Sequence, residues 1–178
     1  MRTIDKTDLH DYFKKLREGH TESFVQIYNE LKVSVFTVCY RIVQSRELAE
    51  DITQDIFVKL FVSPPEESVK NIRAWIFRMT RNLCIDTIRK QHSVSLEETQ
   101  TEPADAVNQN DIAMHIDLEE AISKLSVRQR EVLSLHLDCD LNFREIASIC
   151  DMSGASVYRL YRKTLKTLQE LLGEKKGN

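Results

Sequence analysis

The chain reads as all-α: two small helical domains joined by a flexible acidic linker, the second containing a helix-turn-helix. Three observations predict this. Apolar residues recur three to four apart through most of the sequence, the spacing of one buried helix face. Only 4 Gly and 3 Pro occur in 178 residues, and no alternating β-branched runs are bounded by Gly or Asn-Gly, so strands and hairpins have little support. The stretch from Gln91 to about Asn110 breaks the apolar period; it is rich in Thr, Gln, Glu and Asn and contains Pro103. These features divide the chain into residues 1–90, a linker over 91–110, and residues 111–178.

Four helices are expected in the first domain. Thr7–Glu18 is short and amphipathic. Thr21–Val43 puts Phe24, Ile27, Tyr28, Leu31, Val35, Val38 and Ile42 on one stripe. Ser45 caps a third helix with Leu48, Ile52, Ile56, Phe57 and Leu60 inward. Pro64-Pro65 stops it, and a loop runs from Ser63 to about Asn71. The fourth helix, Ile72 to Lys90, has Trp75, Ile76, Met79, Leu83 and Ile88 at core spacing. A flexible linker of about 20 residues has an r.m.s. span near 25 Å and can stretch to roughly twice that, so the halves can hold sites one to two DNA turns apart.

The second domain begins with Asp111–Lys124. Ser126, with Gln129 three residues on, is a capping-box start for Val127–Leu137. Asn142 caps Phe143–Cys150, and a short turn leads into Gly154–Leu172.

Composition excludes several classes. The formal net charge of −3 and pI of about 6.0 argue against a polybasic binder. No window holds 18 uncharged apolar residues, so no transmembrane helix is expected, and Met1–Asp11 lacks the apolar run of a signal peptide. Cys39, Cys84, Cys139 and Cys150 form no Cys-x-x-Cys pair and sit among apolar neighbours. Buried reduced thiols of a cytoplasmic protein are expected, with a zinc or redox site the alternative. The total charge also conceals a pattern. Residues 1–95 carry 15 Lys and Arg against 13 Asp and Glu, residues 96–127 carry 1 against 8, and residues 128–178 carry 9 against 7.

Three clusters carry chemistry. The first is Phe143 to Leu160 and its continuation. Ala147 is small where two helices would cross, and Ile146, Ile149, Met152, Val157 and Leu160 supply a compact apolar contact. Ser153 can cap the second helix, which carries Arg159, Arg162, Lys163 and Lys166 with no acid from Ser156 to Gln169. A helix lying in the major groove needs apolar residues behind and cations in front; a helical hairpin with a solvated basic face fits as well. Asp151 stands at the turn, where Gly is common, and Asp tolerates the left-handed conformation better than most residues.

The second cluster, Glu47, Glu50, Asp51 and Asp55 with Gln54, lies on successive turns of one helix. It suits a metal site, a solvated acidic face or a docking surface for a basic protein. No His stands at ligand spacing, and no cofactor is expected. The third cluster is Arg73, Arg78, Arg81, Arg89 and Lys90 against a lone Asp86, with Trp75 and Asn82 among them. Such a helix suits phosphate contact with stacking on unpaired bases; Trp75 equally fits the core.

The stretches Ala49–Phe57 and Ile72–Lys90 closely resemble region two of the extracytoplasmic-function (ECF) group of bacterial sigma factors. Leu125–Leu133 with the helix-turn-helix resembles their region four. The resemblance covers about residues 20–90 and 115–172, in the family's order. It implies a non-enzymatic promoter-recognition subunit of RNA polymerase. The face of Glu50, Asp51, Gln54 and Asp55 would dock on the β′ coiled coil, and the second domain would meet the β flap. The Ser63–Asn71 loop with Asn71, Arg73, Trp75, Arg78, Arg81, Asn82, Arg89 and Lys90 would engage the minus-ten element. Ser153, Ser156, Tyr158, Arg159, Arg162, Lys163 and Lys166 would read the minus-thirty-five duplex. An anti-sigma partner is implied, and the acidic linker would thread toward the RNA exit path, its charge mimicking nucleic acid. The chain departs from the family pattern at Phe61, where Trp is common, at Ser156, where Thr is usual, and at Tyr158-Arg159, where Lys-Ser is usual, so promoter sequence does not carry over. A stand-alone helix-turn-helix repressor or activator would need a dimer seam, and a metal-dependent nucleic-acid enzyme using the Glu47–Asp55 acids would need a base, nucleophile or ligand set; the sequence supports neither.

Overall fold

The computed structural model describes residues 6–94 and 112–174, and all of its regular elements are α-helices. In the first half α1 is Lys6–Arg17, α2 Ser23–Val43, α3 Arg46–Val62 and α4 Ile72–Val94. In the second, α5 is Ile112–Ser123, α6 Val127–Leu137, α7 Phe143–Cys150 and α8 Gly154–Glu174. Most of the predicted linker, with its suggested mimicry of nucleic acid, lies outside the described residues; its first residues continue α4, which runs to Val94 rather than ending at Lys90.

Local chemistry sets the helix ends. Gln44 closes α2 in the left-handed conformation (φ 56°), and the next residue, Ser45, accepts from the Leu48 N–H to open α3. Ser126 and Gln129 form a complete capping box on α6, and Asn142 and Glu145 form one on α7. Asn71 Oδ1 accepts from the Ala74 N–H at the start of α4.

Helix α2 is the axis of the first half and packs on α1, α3 and α4; α8 packs on α5, α6 and α7 in the second. Ile27, Leu31, Val35, Val38 and Ile42 are buried, as the α2 stripe predicts, and so are Ile52, Ile56, Phe57 and Leu60 of α3. Tyr28 departs from that stripe: it is 43% exposed, at the edge of a groove described below. Trp75, Met79, Leu83 and Ile88 are only half-buried, whereas Phe77, which lay outside the expected stripe, is fully buried.

The halves are not held apart. Helix α6 lies against α2 and α7 against α4, and one continuous apolar core contains residues from both halves. The Arg130 guanidinium joins the C-termini of α5 and α2, donating to the carbonyls of Ser123, Leu125 and, at 3.1 Å, Ile42 in the last turn of α2. A cation among carbonyls at helix C-termini is favourably placed in their dipoles. Arg41 of α2 donates to Asp138 Oδ2 at 2.9 Å, and Ser134 donates to the same oxygen at 2.7 Å.

Candidate nucleic-acid interface and docking groove

Helices α7 and α8 form the helix-turn-helix. Ile146, Ile149 and Val157 are fully buried between them, and Ala147 stands where the helices approach. Asp151 takes the left-handed turn at φ 53°, and the Met152 N–H donates to the Ala147 carbonyl at 2.9 Å. Ser153 Oγ accepts from the Ser156 N–H at 3.2 Å, so the expected cap on α8 is formed. Ser153, Tyr158, Arg159, Arg162, Lys163 and Lys166 are exposed along one side of α8, and Ser156 is half-buried beside them. Behind that side, Phe143, Tyr161 and His136 form an aromatic brace, with His136 stacked on Phe143 at 4.6 Å and Tyr158 edge-on to Phe143 at 5.6 Å. The arrangement presents cations outward from a rigid helix, as duplex backbone contact requires.

The basic helix α4 is more divided. Arg78, Asn82, Arg89 and Lys90 are exposed; Asn71, Arg73, Trp75 and Arg81 are half-buried. Four of these eight residues touch the C-terminal half. Asn71 Nδ2 donates to Glu145 Oε1 at 2.8 Å, Arg73 donates to the Cys139 carbonyl at 2.9 Å, and Arg78 pairs with Asp151. Arg81 Nε lies 3.4 Å from Glu131 Oε1, within ion-pair range, although neither atom has a hydrogen-bond partner. Trp75 packs against the core and is half-buried. The preceding loop is tied to α1 by Arg17, which donates to the Pro65 carbonyl at 2.6 Å.

Glu50, Asp51, Gln54 and Asp55 are all exposed on α3. Among the described residues no cluster of His, Cys, Asp and Glu has the arrangement of a metal site. The acidic face borders an apolar groove of about 860 Å³ between α2 and α3. Its walls include Tyr28, Val33, Phe36, Phe57, Val58 and Phe61, with Lys32, Glu50 and Gln54 at the edge. Val33 is 62% exposed and Val58 55%. Sequence reasoning missed this groove by assigning Tyr28 to the core. The available signal was Val25, Val33, Val58 and Val62, apolar residues off the buried stripes whose exposure needs a reason.

All four cysteines are free and buried. Burial pushes the Cys150 thiol up to about 12 and the Cys139 thiol further. A hydrogen bond with Cys39, and then burial, raises Cys84. Thiolate chemistry is thereby disfavoured at neutral pH.

These observations define a class: a two-part helical protein with a helix-turn-helix whose second helix exposes cations, a second basic helix and a separate acidic and apolar surface. Comparison with known proteins gives the family. The sigma-70 region 2 model matches residues 27–94 and the sigma-70 region 4 model matches residues 115–168. The ECF RNA polymerase sigma factor SigW of Bacillus subtilis is 26% identical over 175 residues, covering 89% of this chain and 94% of that protein. The RNA polymerase sigma factor CarQ of Myxococcus xanthus is 28% identical over 167 residues, covering 90% and 95%. Among solved structures, the sigma factor RpoE of Bartonella quintana, in complex with the anti-sigma factor NepR, superposes with a TM-score of 0.74 at 22% identity, over 85% of this chain and 98% of that one. CnrH, in complex with the cytosolic domain of CnrY, superposes at 0.71 and 19% identity, over 94% and 98%. The chain belongs to the sigma-70 family of RNA polymerase sigma factors, in its ECF group. Its function is that of the family, directing RNA polymerase to promoters.

Proposed function

We propose that three surfaces divide this work. Glu50, Asp51, Gln54 and Asp55, with the apolar groove beside them, dock on the β′ coiled coil of core polymerase. An acidic rim on an apolar groove suits an amphipathic basic helix, with the groove providing the affinity and the rim charges the encounter rate. The Ser63–Asn71 loop and the α4 residues from Asn71 to Lys90 hold the minus-ten element and its melted bases, with the half-buried Trp75 the aromatic for stacking. The α8 residues from Ser153 to Lys166 read the minus-thirty-five duplex, and residues 111–178 as a unit meet the β flap. Residues 1–90 form the unit that binds core and the minus-ten element, and 91–110 connects the two. The protein acts in the cytoplasm by binding, without catalysis of its own.

The observation that carries this reading is the exposed cationic side of α8 in a complete helix-turn-helix, on the same chain as a separate acidic and apolar docking surface. The complexes of RpoE with NepR and of CnrH with CnrY support a further step, that this chain too is held by an anti-sigma factor. Reconstitution tests the whole. The purified chain mixed with core polymerase should co-elute with it and yield transcripts from a subset of genomic promoters. Failure to co-elute sinks the reading, and sequencing the transcripts defines the promoter elements.

A further inference from the structure

We propose that Tyr158 is a specificity-determining residue for the upstream element, its ring receiving the 5-methyl group of a thymine there. This rests on the assignment of α8 to that duplex. Tyr158 is 49% exposed, on the same open side of α8 as Arg159, Arg162, Lys163 and Lys166. The cations suit phosphate oxygens and the acceptor atoms of purines. An aromatic ring among them calls for a different, apolar partner. Tyr158 is also one of the positions at which the chain departs from the family pattern.

The ring is held in place, and the turn before it is bare. Tyr158 lies edge-on to Phe143 at 5.6 Å, and Phe143 is stacked on His136 at 4.6 Å and tilted against Tyr161 at 5.3 Å. A ring braced in this way has less freedom to lose on binding. Ala155 and Gly154 precede Tyr158 by three and four residues, the spacing of neighbours on one helix face. Both are exposed, and no side chain beyond the chain neighbours lies within 4 Å of where a Gly154 Cβ would stand. The ring, the Ala155 methyl group and the Gly154 backbone thus border an open apolar notch in the first turns of α8.

Thymine alone among the four bases presents a methyl group in the major groove; the others present only polar atoms there. A methyl group seated in the notch leaves water without giving up a hydrogen bond. The neighbouring cations hold the flanking phosphates and so fix the register in which the base meets the ring.

Deoxyuridine tests the contact, because it pairs as thymidine does and lacks only the methyl group. Holoenzyme reconstituted from core polymerase and the full chain first selects promoters from a library with a randomised upstream region. In the selected promoter each upstream thymine, on either strand, is then replaced singly by deoxyuridine, and affinity is read by competition. For at least one thymine the wild type should lose about fourfold, the fold-change of one buried methyl group at about 0.8 kcal/mol. Tyr158→Ser should bind the thymine and deoxyuridine promoters equally. Tyr158→Phe, which keeps the ring and loses the hydroxyl, should keep the fourfold ratio. Circular dichroism checks folding, and if Tyr158→Ser does not fold, Tyr158→Lys decides with the same expectation. The proposal is overturned if the wild type shows no methyl-sensitive upstream thymine, if the ratio survives loss of the ring, or if it disappears in Tyr158→Phe. Arg162→Ala separates that failure from failure of the α8 assignment. If Arg162→Ala weakens the upstream footprint, α8 reads the duplex and only the methyl contact is wrong. If the footprint is unaffected, the assignment of α8 fails with it.

Discussion

Glu131 sits where the halves meet, with 3% of its side chain exposed, and it is surrounded by cations. Burial pushes its carboxyl above the usual range, while Arg81 of α4 and Arg128 and Arg130 of α6 pull it back; the Cys84 and Cys150 thiols stand near it from α4 and α7. Burial also pulls the Arg130 guanidinium down from its usual value. The sign of the pH effect follows. A carboxyl whose folded value is raised binds its proton more tightly in the folded state, so the stability it contributes is fully present below its unfolded value and is lost as pH rises through the folded one. Removing the titration with Glu131→Gln should flatten this. Measured by urea unfolding, the stability of wild type relative to Glu131→Gln should fall as pH rises above the ordinary carboxyl value of 4.5. A constant difference would show that Glu131 titrates alike in both states.

At the scale of the element, α7 shows how short helices survive here. Eight residues are too few for a stable isolated helix in water, so its ends and its packing must hold it. Asn142 Oδ1 accepts from the N–H groups of Arg144 and Glu145, at 3.0 and 3.1 Å, and Glu145 returns a bond to the Asn142 N–H at 2.9 Å. Ile146 and Ile149 are buried on the face toward α8, and Asp151 closes the C-terminus. Asn142→Ala should lower the unfolding free energy by about 1 kcal/mol. Asn142→Asp, which keeps the acceptor, should recover most of it. Equal stability of the alanine and aspartate variants in denaturant melts would refute the cap as the cause. Because α7 positions α8, the alanine variant should also weaken upstream-element footprints.

At the scale of the whole molecule, function is a matter of which surfaces are free. The α8 cations and the α3 groove are accessible in this arrangement, while Asn71, Arg73, Arg78 and Arg81 of the α4 set bond or pair with the C-terminal half. The surface of α3 proposed to bind core polymerase is already exposed. Reversing both Asp51 and Asp55 to Lys should weaken association with core polymerase by about tenfold, chiefly through slower encounter, and the loss should shrink as salt is raised. Both residues are exposed, so the fold should survive the change. Unaltered affinity in titrations with core would remove this face from the interface.

The helices of the described residues and their caps were legible because periodicity and capping act between residues at most four apart. Ser45, Ser126, Asn142 and Ser153 announce their helices by local hydrogen bonds, and Asp151 its turn by a local tolerance. The exposed cations of α8 and the acids of α3 were legible for the same reason: each lies off its own helix's apolar stripe. The groove was not, because the exposure of Tyr28 depends on how α2 and α3 splay apart, which neither stripe records. Nor was the union of the halves. The partners of Asn71, Arg73 and Arg78 lie 74, 66 and 73 residues away in sequence. A charge count shows two mildly basic pieces and cannot say that the acids of one meet the cations of the other. The sequence by itself determined which helices form and which faces carry charge, since those depend on neighbours along the chain. Only the tertiary structure decided which charged faces remain open, because that depends on which helices pack together.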